Sequence, residues 1–207
     1  MRILLSIILT SFWFVSFSQN KRDSVSVKNS VFSVIYSEKL EQPHILFYKS
    51  TNRETKVNRG STDFYTEPKI HTSDNLDYKN NIYDKGHLAP AATFSDNSQN
   101  LLQTFSYLNC ALQNQYLNRG EWRILEETER KWDDQQNLKI YIRCIFTKNS
   151  KILSTGATVP DFFEKHVFFE KEKKWKCFLF PNEKPSKGWE NFEMTCKTEK
   201  HQFSILE

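Results

Sequence analysis

Short runs of aromatic and β-branched residues recur along the chain between polar, turn-forming stretches, and past the extreme N-terminus none is long. Val31-Phe32-Ser33-Val34-Ile35-Tyr36 and Ile45-Leu46-Phe47-Tyr48 read as strands separated by polar residues and Pro43. Lys139 to Phe146, Phe162 to Phe169 and Lys174 to Phe180 read the same way, joined by turns at Asn149, Gly156, Pro160 and Pro181. Two stretches change period. Leu101, Leu102, Phe105 and Leu108 fit a short helix. Asn118, with Glu121 three residues on, forms a capping-box pattern that leads into a second helix from Glu121 to Trp132. Strands interleaved with two helices predict an α+β fold with an antiparallel-rich central sheet and flanking helices. Lys49 to Asn81 shows no period and reads as a long extended loop.

The chain's 207 residues suit one domain, and 17 Phe with only 5 Gly and 6 Pro exclude collagen-like, low-complexity or wholly disordered chains. Its first 18 residues carry a basic start, an apolar run from Ile3 and small residues before polar Gln19. They read as a secretory signal peptide. Residues 19–29 then form a polar, flexible leader, and 30–207 the domain. The expected location is secreted or periplasmic, with no stable membrane association after cleavage. Export permits disulfides. Of three full pairings among Cys110, Cys144, Cys177 and Cys196, the favoured bridge is Cys177 to Cys196, which flank a loop bearing Pro181, Pro185 and Gly188. Cys110 and Cys144 lie in apolar surroundings that suit buried thiols. A formal net charge of +4 permits a polyanionic partner without demanding one.

Tyr83-Asp84-Lys85-Gly86-His87-Leu88 carries the sharpest chemical signal. Gly86 permits a tight bend before His87, and Asp84 and Lys85 can fix that bend, presenting an imidazole at a strand end. On the second helix, Glu126 and Arg130 lie about 80° and about 120° round from Asn118, so one face can carry all three. Plainer readings stay open: a packed histidine, a capping asparagine and a surface ion pair.

Asp84-Lys85-Gly86-His87, Asn109-x-x-x-Gln113 and Asn118-x-Gly120-x-Trp122-x-x-Leu125-Glu126, at these distances, resemble the DNA/RNA non-specific endonuclease family, which includes endonuclease G and carries a ββα-metal active site. The resemblance covers roughly residues 45 to 185, with Arg59 to Phe64, Asp77-Tyr78 and Phe178 to Asn182 as further pieces. It implies that His87 is the general base and Asn118 the one direct protein ligand of a Mg²⁺, with Mn²⁺ as a substitute. Glu126 and Asn109 would act on the metal through water, Arg130 and Arg59 would stabilise the phosphate, and Asp84 and Lys85 would shape the bend that aims His87. An all-oxygen, water-rich ligand set suits Mg²⁺. Implied partners are DNA and RNA, cut to 5′-phosphate ends, and a homodimer is allowed. Three departures stand out: Lys85 where Arg is usual, Leu112 where Pro is usual, which leaves that loop less stiff, and a chain end near where the family continues into a Gly and aromatic segment. The expected function is a secreted Mg²⁺-dependent endonuclease with little sequence specificity. Alternatives are a catalytically silent nucleic-acid or protein-binding module, and a phosphodiesterase acting on another phosphate ester.

Overall fold

A computed structural model describes residues 21–196 and Leu206. The proposed signal peptide lies outside the described residues. Among the described residues, seven antiparallel strands form the main sheet in the order β1-β2-β3-β6-β7-β8-β9: Val25–Lys28, Phe32–Ser37, Gln42–Ser50, Leu138–Ile145, Phe162–Phe169, Lys174–Pro181 and Glu193–Met194. A separate pair, β4 (Tyr83–His87) and β5 (Cys110–Asn114), runs antiparallel with His87 opposite Cys110. The helices are α1 (Ser98–Thr104), α2 (Gln115–Leu117) and α3 (Arg123–Asp133), the last two joined by a π-helical stretch, Asn118–Trp122. The architecture is α+β, as the alternation of runs implies.

Period-two alternation explains the layering. Val34, Leu46, Tyr48, Ile140, Phe163 and Phe178 point to one side of the sheet, where Leu88, Ala111, Leu117, Trp122 and Leu125 cover them. The β4–β5 pair and the segment from α2 to α3 thus lie on that face. Two side chains fasten β5 to the sheet: Gln42 Oε1 accepts from Leu112 N at 2.9 Å, and Asn182 donates to the Leu112 and Pro160 carbonyls while accepting from Asn114 N. Leu112 therefore does not loosen a loop. It sits buried inside a strand, and its N–H makes a bond that proline could not.

Residues 25–28, expected within a flexible leader, instead form β1, because Val25 and Val27 alternate with Ser and Lys and half-bury one edge of the sheet. Arg22 anchors this edge with paired bonds to Glu38 at 2.7 and 2.8 Å. Cys177 and Cys196 are bridged, while Cys110 and Cys144 are buried free thiols. The long segment from 51 to 81 has no regular element beyond a bridge of Tyr65 to Ser106, as its composition predicts.

Candidate active site

His87 ends β4 against an aromatic wall that the long loop and α1 supply. Its ring centroid lies 4.6 Å from that of Phe64 and 5.0 Å, edge-on, from that of Phe105. The residue is partly exposed, but its ring Nε2 is sealed from solvent without a hydrogen-bond partner. Burial, reinforced by the Arg59 charge, pulls its pKa down to about 3, so the imidazole is neutral at physiological pH. The Arg59 guanidinium stacks 4.9 Å from the Phe105 ring, on the wall that His87 also touches.

Gly86 does not make a bend; β4 runs straight through it. A Cβ there would lie 2.6 Å from Gln113 Cβ, so glycine is required by the close crossing of β5. Asp84 and Lys85 likewise shape no bend. Asp84 faces the helical segment, where Asn118 Nδ2 donates to its Oδ2 at 2.9 Å and Arg119 makes two further bonds of 2.8 and 2.6 Å. Lys85 points towards the long loop, donating to Asp63 at 2.7 Å and to Asn75, with its ammonium 5.6 Å from the Phe64 ring centroid. It braces the wall behind His87.

Asn118 is not the N-cap of a helix; it follows α2 directly as its C-cap. Its backbone is helical, α2 is capped by Asn114, and Glu121 accepts from Trp189 N instead of closing a capping box. With its amide N–H committed to Asp84, its Oδ1 is the atom left to face a ligand. Asn109 fares differently. Fully buried, it accepts from Ala89 N at 2.7 Å and donates to the Ala89 and Thr104 carbonyls, so it clamps the chain just after His87 rather than supporting a metal's water shell.

Glu126 and Arg130 stand one turn apart on α3. Glu126 Oε1 is buried and unpartnered, and burial pushes the pKa up to about 7 against the opposing charges of Lys165 and Arg130. The indole N–H of Trp122 also favours the carboxylate, though outside hydrogen-bond geometry. Such an orphaned carboxylate oxygen together with a freed amide oxygen fits a hard divalent cation that keeps its waters. Sequence reasoning missed Phe64, Phe105, Arg119 and the buried pair Lys165–Glu129. A lysine at an inward-facing position of the Phe162 to Phe169 run was the one signal for that pair.

An antiparallel strand pair whose first strand ends in His87, followed by a helical segment bearing Asn118 and Glu126, gives the candidate site a ββα order. The chain belongs to the DNA/RNA non-specific endonuclease family, whose model matches residues 12–202. A relative is mitochondrial endonuclease G of Bos taurus, 36% identical over 76 residues, which make up 35% of this chain and 25% of that protein. The match thus spans about a quarter of the relative's length. The fold is shared with a chain from the crystal structure of the EndoG/EndoGI complex, described as the mechanism of EndoG inhibition. The TM-score is 0.74 at 24% identity, covering 82% of this chain and 80% of that one.

Proposed function

We propose that the protein is a secreted, divalent-metal-dependent endonuclease that hydrolyses phosphodiester bonds of DNA and RNA with little sequence specificity, using Mg²⁺ or Mn²⁺. The observation that carries this reading is the His87 imidazole, kept neutral by its aromatic wall beside the Arg59 charge. A neutral imidazole takes a proton from water as that water attacks phosphorus in line. The P–O bond opposite breaks, and the departing sugar oxygen takes a proton from solvent. Arg59 and Arg130 carry the charge that develops on the phosphoryl oxygens.

Asn118 through its Oδ1, and Glu126 through water, would hold the cation, which supplies Lewis-acid stabilisation of the phosphate. Asp84 keeps the Asn118 amide turned so that its oxygen is presented. Low specificity follows from chemistry aimed at the backbone, since phosphate contacts carry no base information.

The test is digestion of plasmid and RNA by residues 19–207, with Mg²⁺ and with EDTA, beside His87→Ala. Cleavage of both substrates that EDTA abolishes, and that falls by orders of magnitude in a folded His87→Ala protein, is expected. A folded wild-type chain that cuts neither would overturn the reading in favour of a silent binding module or another phosphate ester. Export is tested by finding the folded chain outside the cytoplasm, shortened at its N-terminus by about the length of the proposed signal peptide.

A further inference from the structure

Directly beneath α3 lies a charged group that the reaction does not use. Lys165, in the middle of β7, is entirely buried, with its ammonium 2.9 Å from Glu129 Oε1 and 4.1 Å from the Trp122 ring centroid. Tyr48 donates to the other Glu129 oxygen at 3.0 Å. Trp122 Nε1, Glu126 Oε1, Glu129 Oε1 and Lys165 Nζ are all sealed from solvent, and none makes a hydrogen bond of ordinary geometry. Packing does not account for this arrangement, because apolar side chains of similar volume usually replace a buried ion pair at no loss of stability.

The position of the ammonium does account for it. Trp122 closes the π-helical stretch that Asn118 opens, and Glu129 lies one turn beyond Glu126 on the same helix. One fixed charge therefore grips both halves of the unit that presents Asn118 and Glu126.

We propose that Lys165 is a positioning residue, whose ammonium, held by Glu129 and Trp122, orients the Glu126 carboxylate and the Asn118 stretch towards a divalent cation and so sets the affinity for it. The inference rests on the proposed function and adds a determinant of cation affinity that lies outside the ligand set.

The test compares wild type with Lys165→Met/Glu129→Gln, which removes both charges and leaves Tyr48 an amide oxygen to bond. Thermal melting reports the fold, calorimetric titration with Mn²⁺ reports binding, and plasmid cleavage is followed against Mg²⁺ concentration. The double variant should melt close to wild type yet bind Mn²⁺ about tenfold or more weakly, the loss typical when a ligand's supporting partner is removed. Its half-saturating Mg²⁺ should rise in step. Wild-type Mn²⁺ affinity in the folded double variant would overturn the proposal. Should that variant not fold, Glu129→Gln alone decides: the ammonium loses its charged anchor on the helix that bears Glu126, so Mn²⁺ binding weakens, and unchanged binding overturns the proposal. A wild type that binds Mn²⁺ but cuts nothing would sink the nuclease reading while calorimetry still scores Lys165.

Discussion

At the scale of single residues, the candidate site separates groups that the proposed function turns towards a substrate from groups that hold the surrounding backbone in place. Asn109 belongs to the second kind, with three bonds to buried backbone around Ala89 and Thr104. Asn109→Ala should therefore lower stability by about 1–3 kcal/mol, since it strands buried backbone groups. Denaturant unfolding measures the loss, and Mn²⁺ affinity of the folded variant should stay at the wild-type value. The sequence singles out His87, Asn118 and Glu126 as candidates because each sits in a local motif whose chemistry needs that residue type. The grip of Asp84 on Asn118 across 34 positions, and of Lys165 on Trp122, was not legible there. Such pairings exist only once the strands have chosen their neighbours.

Among the elements, β4 shows how a glycine can be misread from sequence. Gly86 looks like a hinge before a catalytic histidine, yet its role is to let the Gln113 side chain cross β4. Gly86→Ala should destabilise the hairpin by about 1–3 kcal/mol through overpacking. Reduced protection of the β4–β5 amides in hydrogen exchange would localise the damage there, and wild-type protection would contradict it. The internal strands β2, β3, β6, β7 and β8 were plain in the sequence, because buried strands need continuous apolar and aromatic runs. β1 was not, since an edge strand buries only Val25 and Val27 and otherwise looks like a polar leader. The second helix was seen, but its start was misplaced: capping propensity pointed to Asn118, whereas tertiary packing carries helical turns back to Gln115.

For the molecule as a whole, Arg22 and Glu38 tie the first described residues to the sheet, and this tie responds to acid. Arg22 holds the Glu38 carboxyl at about 2, below the ordinary 4.5. A carboxylate with a lowered folded pKa stabilises above the unfolded value and loses that contribution as pH falls from 4.5 towards 2. Glu38→Gln should thus be less stable than wild type at pH 7, and the gap should close near pH 2; a gap that persists there would exclude this pairing as its source. His87 acts in the same direction, because its neutral buried ring gives way to a protonated unfolded form as pH falls below 6.5.

The long loop between β3 and β4 supplies both Arg59 and Phe64, yet few backbone bonds fasten it: Lys56 and Val57 to the Ser95 carbonyl, and a reciprocal pair between Tyr65 and the Phe105–Tyr107 turn. Segments with so few bonds open at a lower free energy than the sheet behind them. Arg59, half of the charge that the proposed function sets against the phosphate, is therefore carried by the part of the molecule that detaches first. If the proposed nuclease activity holds, heating should extinguish it several degrees before the sheet melts and it should return on cooling, so the protein would fail as a reversible fuse rather than by collapse.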